Sequence, residues 1–144
     1  MAGSELSITR FFAYGTLRRA SPMHALLSVE ARFLGPARYK ARLLDLGDFP
    51  GVVAAASAGD VVLGELFLFP AETAEELLAR LDRYEGEAFS RRQVPVITED
   101  DEKVTAWVYH YRGDPARGRV MASGDWLEDR SRQVSRAGRG VRPG

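Results

Sequence analysis

ITRFFAYGTL at residues 8–17 decides the fold, because a run of β-branched and aromatic side chains ends there at a single glycine. Such a run is typical of a buried strand, and the glycine predicts that the strand enters a turn directly. Glycine lets the backbone approach a ligand closely or adopt a positive φ, and successive N–H groups in the turn can bind a carboxylate or an oxyanion. The turn is either a substrate-binding loop or a tight turn with its tyrosine in the core; its residues are Tyr14, Gly15, Thr16 and Leu17.

Strand patterns recur along the chain. DVVLGELFLF at residues 60–69 predicts the strongest of them, and Pro70 ends it. Residues 33–46 contain two Gly/Pro breaks and predict one or two strands with a bend. Residues 49–51 predict a turn that leads into a short apolar segment. Two further strands are predicted on either side of an acidic turn at residues 99–102, namely 94–98 and 104–111.

Helical spacing is clearest at residues 72–84, ETAEELLARLDRY, where three leucines share one face, the first turn is acidic and Gly86 follows. A shorter helix is predicted from Ser21 to Ala31, beginning at a Ser-Pro pair. Many strands with two helices and no regular βα alternation predict an α+β domain with a curved or barrel-like mixed sheet.

The composition favours one globular domain and argues against several classes of protein. The chain has 144 residues, of which 45% are hydrophobic, and 20 basic residues balance 20 acidic ones. This balance argues against a nucleic-acid binder, and the absence of cysteine excludes disulfides, thiolate nucleophiles and cysteine-bound metals. No signal peptide or membrane-spanning run is visible, so we expect a soluble cytoplasmic protein without a membrane partner. We expect a domain at residues 1–129 and a flexible Arg/Gly-rich tail at 130–144.

Glu85 is the candidate acid/base, because it stands at the end of the best predicted helix, just before Gly86. A carboxylate there meets the negative end of the helix dipole, which tends to raise its pKa and suits a group that both takes and gives a proton. Glu87 is the rival candidate, and a solvated glutamate at the helix end is the plainer interpretation. We prefer Glu85 because the helix register and Gly86 define its direction.

Arg91 and Arg92 follow, just before the strand predicted at 94–98; in a strand, neighbouring side chains point to opposite faces. One of them could face the site, so Arg91 is a candidate substrate-binding residue, with a structural ion pair as the alternative. His24 and His110 lack metal-ligand spacing, and no phosphate-binding loop, dinucleotide fingerprint or nucleophile elbow is present. We therefore predict no metal and no cofactor.

Six segments together resemble the gamma-glutamyl cyclotransferase-like superfamily, which includes gamma-glutamylamine cyclotransferases and plant avirulence-induced proteins. The pairing of YGTL with LDRYEG is the most specific part of the resemblance. Phe89 departs from it, because many relatives have tyrosine there, and this removes a hydroxyl near the expected site. The matching segments are FFAYGTLRR at 11–19, LLDLGDFPGVV at 43–53, VLGELFLF at 62–69, LDRYEGEAFSRRQVPV at 81–96, AWVYHY at 106–111 and SGDW at 123–126.

The resemblance implies a small mixed β-barrel-like sheet with two or three short helices and a pocket at its mouth. It implies that Glu85 is catalytic and that residues 14–17 line the pocket. The implied reaction releases 5-oxoproline and an amine from a small gamma-glutamyl substrate. Two alternatives stay open: a non-catalytic module that binds a small anion or metabolite, and an interaction protein that uses its basic tail. The sequence makes no prediction of oligomeric state.

Overall fold

Five strands close into a barrel in the computed structural model of this chain, which describes residues 10–15 and 31–126. The strands of the described residues are β1 (Arg10–Ala13), β2 (Arg32–Tyr39), β3 (Arg42–Asp45), β4 (Pro50–Val53), β5 (Val62–Leu68), β6 (Phe89–Thr98), β7 (Lys103–Tyr111) and β8 (Arg119–Val120). The helices are α1 (Ala74–Glu85) and a short 3₁₀ helix (Pro115–Arg117).

The barrel strands run in the order β1-β5-β2-β6-β7. Each neighbouring pair is antiparallel except β7 and β1, which close the barrel in parallel, with Phe11 opposite Trp107. The barrel is therefore mixed, as the sequence predicted. Strands β4, β3 and β8 form a separate three-stranded antiparallel sheet.

Side chains that alternate along the barrel strands pack into two hydrophobic clusters. Phe12 belongs to a cluster with the apolar side chains of the other barrel strands. Its neighbours Phe11 and Ala13 face the opposite way, into a cluster that includes three leucines of α1: Leu77, Leu78 and Leu81. The leucine spacing thus explains how α1 docks on the barrel, and this docking brings the end of α1 close to the end of β1.

The fold class predicted from the sequence is confirmed, with differences in detail. The strands predicted at 60–69, 94–98 and 104–111 are present, but β6 begins five residues earlier than predicted. The turn predicted at residues 49–51 is wrong, because Pro50 and Gly51 belong to β4; proline is tolerated as the first residue of a strand.

The described part of the chain contains one α-helix, α1, and one short 3₁₀ turn, slightly fewer helices than the two or three predicted. The helix predicted at 21–31 lies outside the described residues, apart from Ala31, which precedes β2. The tail predicted at 130–144 also lies outside the described residues. None of the described helices is long and apolar enough to traverse a membrane.

Candidate active site

A cavity of about 320 Å³ lies where the end of β1 meets the end of α1. Its described walls come from residues far apart in the sequence, which the barrel closure brings together. These residues are 11–15, 48–50, 84–85, 88–89 and 109. Glu85 and Gly15, which the sequence selected separately, therefore line one cavity.

Glu85 is the last residue of α1, and its partly buried side chain lines the cavity. Burial, followed by the negative charge of Asp82 one turn earlier, raises the pKa of Glu85 to about 7. The sequence argument attributed a raised pKa to the helix dipole, whereas the structure assigns it first to loss of solvent. A carboxyl group with this pKa exists in both protonation states near neutral pH, so it can accept a proton and return it.

Glu87, the rival candidate, is exposed and is not part of the cavity wall. Gly86 has a positive φ of 80° and its N–H donates to the carbonyl of Asp82, which ends the helix. The chain therefore leaves α1 immediately after Glu85, and the two glutamates point to different surroundings.

Gly15 lies in the cavity wall, where the chain packs closely against Pro50. A residue larger than glycine would collide with the proline ring. A Cβ atom at position 15 would lie 2.6 Å from Cγ and 3.0 Å from Cδ of Pro50. The backbone of Gly15 does not have a positive φ, so close approach is the reason for glycine here. Thr16 and Leu17, the rest of the predicted loop, lie outside the described residues.

We expect Gly15→Ala to destabilise the protein by about 1–3 kcal/mol, because the proline ring is rigid and must shift to admit the methyl group. Urea unfolding of the variant and the wild type measures this difference. Gly59→Ala is the matched control, since a Cβ atom at Gly59 would meet nothing within 4 Å. Equal losses of stability in the two variants would show that Pro50 has no special role.

Tyr14 is buried and also lines the cavity. A tyrosine in the core and a turn at the binding site are therefore compatible alternatives. Its hydroxyl donates to the backbone carbonyl of Tyr109 at 2.8 Å. Burial, followed by the nearby charge of Glu85, raises the pKa of Tyr14, which keeps its hydroxyl protonated. Tyr14 therefore anchors the start of the glycine turn to β7.

Arg91 is not in the described cavity wall. Its guanidinium donates twice to Asp82, from Nε to Oδ1 at 2.9 Å and from Nη2 to Oδ2 at 3.0 Å. Cζ of Arg91 also lies 4.3 Å from the centre of the Trp107 ring. This position gives no support to the prediction that Arg91 contacts the substrate. The described contacts of Arg91 are those of a structural ion pair, which was the alternative.

Asp82 and Tyr109 were not singled out in the sequence, although both belong to the surroundings of the site. Tyr109 lines the cavity, and its hydroxyl donates to Oδ1 of Asp82 at 2.6 Å. Asp82 precedes Glu85 by three residues, a spacing that places two side chains on the same helix face. The three-residue spacing could therefore have identified Asp82 as a neighbour of Glu85 from the sequence. Nothing in the sequence places Tyr109 against the helix.

Aromatic side chains form most of the remaining wall. The ring of Phe89 is 5.8 Å from that of Phe49 and 5.9 Å from that of Tyr111. Phe49 and Tyr84 are partly exposed, so they lie toward the solvent side of the cavity. Phe89, the residue that lacks the hydroxyl expected from the resemblance, is in the wall itself. The site is thus a mostly apolar cavity whose wall carries two carboxyl groups, those of Glu85 and Asp48, and an apolar environment strengthens electrostatic interactions.

His110 lies apart from the described cavity wall. It is buried, and its Nε2 is 2.8 Å from the hydroxyl of Tyr39. Among the described residues, no three acidic or histidine side chains are grouped in a way that could hold a metal ion.

A sequence model of the family described as "Gamma-glutamyl cyclotransferase, AIG2-like" matches residues 11–128 of this chain. A protein of Vibrio cholerae named "Putative gamma-glutamylcyclotransferase" is 33% identical over 119 residues, covering 81% of this chain and 94% of its own. The matched region contains β1, α1 and every described residue of the cavity wall.

Two solved structures have similar folds. YkqA from Bacillus subtilis superposes with a TM-score of 0.72 at 26% identity, covering 88% of this chain. The chain spans less than half of YkqA, 42% of its length. An AIG2-like protein from Mus musculus superposes with a TM-score of 0.65 at 22% identity, covering 80% of this chain and 86% of the mouse chain. The mouse structure supports the fold alone.

Proposed function

Because this chain belongs to the gamma-glutamyl cyclotransferase, AIG2-like family, we propose that it is an enzyme that releases 5-oxoproline and a free amine or amino acid from a gamma-glutamyl compound. The observation that carries the proposal is Glu85, a carboxyl group with a pKa of about 7 in the same cavity wall as Gly15. The proposed substrate is a small molecule, and the proposed compartment is the cytoplasm.

The reaction begins with a proton transfer to Glu85. The α-ammonium group of the substrate cannot attack while it is protonated, so the Glu85 carboxylate first removes one proton. The free α-amine then attacks the γ-carbonyl carbon, which forms the C–N bond of a five-membered ring and an oxyanion. A base with a pKa near the working pH is well matched to this step.

Glu85 then acts as the acid. The oxyanion collapses and breaks the bond between the γ-carbon and the leaving nitrogen, which receives the proton that Glu85 carried. The ring nitrogen still carries one proton more than the lactam needs; Glu85, now a carboxylate again, takes it and passes it to the expelled amine. The products are 5-oxoproline and the protonated amine, water is not consumed, and Glu85 returns to its starting state. None of the proposed steps requires a metal, a cofactor or a covalent intermediate.

The glycine turn is proposed to hold the substrate in its folded-back conformation. Gly15 lies in the cavity wall, and we propose that its N–H acts with the N–H groups of Thr16 and Leu17 on the α-carboxylate or the oxyanion. Positioning of this kind contributes about 7–11 kcal/mol in favourable cases, and a lost oxyanion donor costs roughly 3–4 kcal/mol. Tyr14 supports the turn through its bond to the carbonyl of Tyr109.

A substrate panel tests the reaction. We expect purified protein to release 5-oxoproline and an equal amount of amine from at least one gamma-glutamyl dipeptide or gamma-glutamylamine, measured by chromatography. Release of glutamate would contradict the proposal, because it would mean that water, not the substrate's own amine, attacks the carbonyl. Binding of these compounds without any product would favour the non-catalytic binding module.

A further inference from the structure

The side chain of Asp82, in the last turn of α1, is held in place by hydrogen bonds although it is partly exposed. Its side chain is 44% exposed, yet both of its oxygens accept hydrogen bonds. Oδ1 accepts from the hydroxyl of Tyr109 at 2.6 Å and from Nε of Arg91 at 2.9 Å, and Oδ2 accepts from Nη2 of Arg91 at 3.0 Å. A carboxylate with three charge-assisted donors has one geometry and stays ionised. These donors accordingly hold the pKa of Asp82 below its usual value.

Tyr109 links Asp82 to the opposite wall of the cavity. Its hydroxyl donates to Asp82, and its backbone carbonyl accepts from the hydroxyl of Tyr14, next to Gly15. One residue of β7 thus contacts both the last turn of α1 and the start of the glycine turn.

We propose that Asp82 is a positioning residue for Glu85, with Tyr109 and Arg91 holding its carboxylate one turn away from Glu85 on the same helix face. The inference deepens the proposed function and rests on it for its catalytic meaning. Asp82 does not contact the substrate in this account; it acts through Glu85.

Asp82 supplies the negative charge that raises the pKa of Glu85. Two other carboxyl groups lie in the surroundings, Asp48 in the cavity wall and the exposed Glu87. Tyr14 and Tyr109 also interact electrostatically with Glu85, but both have raised pKa values and are neutral. Arg91 is positive and is bound to Asp82, so it partly offsets that charge. Removal of Asp82 should therefore make Glu85 easier to ionise, and removal of Arg91 should make it harder.

The test is a ¹³C NMR titration of the Glu85 carboxyl group in the full-length protein, with the resonance identified by its absence in Glu85→Gln. In the wild type we expect a midpoint near pH 7. Asp82→Asn should lower the midpoint by about half a pH unit, the effect of a unit charge ~6 Å away at water-like screening. Arg91→Gln should raise it by several tenths of a pH unit.

The opposite signs distinguish a charge effect from general loosening of the site. Loosening would admit water and lower the midpoint in both variants, which would overturn the inference, as would no shift in either variant. Glu87→Gln is the matched control, since it removes an exposed carboxylate near Glu85, and it should leave the midpoint unchanged. Arg91→Gln is the deciding variant, because a charge effect raises its midpoint and loosening lowers it, so its sign still decides if Asp82→Asn does not fold.

Enzyme kinetics add a second readout. The acid limb of the kcat/KM profile should move in the same direction as the NMR midpoint in each variant, which a purely structural role of Asp82 would not produce. If no gamma-glutamyl compound is turned over, the proposed function fails, but the titration still tests the link between Asp82 and Glu85. The two failures are therefore distinguishable.

Discussion

Glu85→Gln is expected to lower kcat for 5-oxoproline release by about 10²–10⁴-fold, the usual contribution of a general acid/base. The amide keeps the size and shape of the side chain but can neither accept the α-ammonium proton nor deliver one to the leaving amine. KM should change much less, because the proposed binding contacts come from the glycine turn. Steady-state kinetics on the best substrate of the panel measure both parameters.

Glu87→Gln provides the control for this substitution. It makes the same chemical change two residues away, at an exposed position outside the cavity wall, and should retain full turnover. If Glu85→Gln kept wild-type kcat, another group would have to move the proton and the assignment to Glu85 would be wrong.

The same substitution is expected to stabilise the protein above neutral pH. The pKa of Glu85 is raised from 4.5 to about 7 in the folded protein, so the folded state holds the proton more tightly than the unfolded state. Below about pH 4.5 the Glu85 carboxyl group is protonated in the folded and the unfolded state, so it does not lower the free energy of unfolding. As the pH rises toward 7 the unfolded state ionises first, and the wild type loses stability.

Above pH 7 this loss is complete and amounts to about 3 kcal/mol. Glutamine does not ionise, so Glu85→Gln should gain stability relative to the wild type by up to this amount between about pH 4.5 and 8. Urea unfolding of both proteins at several pH values measures the difference. A difference that stays constant with pH would show that Glu85 is not desolvated.

Local patterns predicted the elements that pack with regular periodicity. The leucines of α1 and the apolar run of β1 both bury one continuous face, so their spacing in the sequence matches their contacts in the fold. The beginning of β6, FSRRQ at residues 89–93, carries mixed side chains with no alternation and was not predicted as strand. Its backbone pairs with β7 along the whole hairpin, a contact that side-chain periodicity does not report.

Residues of the site could be predicted only where the evidence for them lay within one segment of the sequence. Glu85 stood out because helix register, Gly86 and the resemblance all marked one residue. The reason for Gly15 is its contact with Pro50, thirty-five residues away, which no local pattern contains. The raised pKa of Glu85 likewise depends mainly on burial by other parts of the chain, a cause that the dipole argument did not include.

The central claim is that the carboxyl group of residue 85 and the N–H groups after Tyr14 act on one bound substrate. A crystal structure of the inactive Glu85→Gln variant with its gamma-glutamyl substrate tests this most directly. We expect the α-amine of the substrate within about 2.6–3.2 Å of the residue 85 side chain, and its carboxylate or γ-carbonyl oxygen on the backbone N–H groups of the glycine turn. A substrate bound outside this cavity, or with its α-amine turned away from residue 85, would contradict the account.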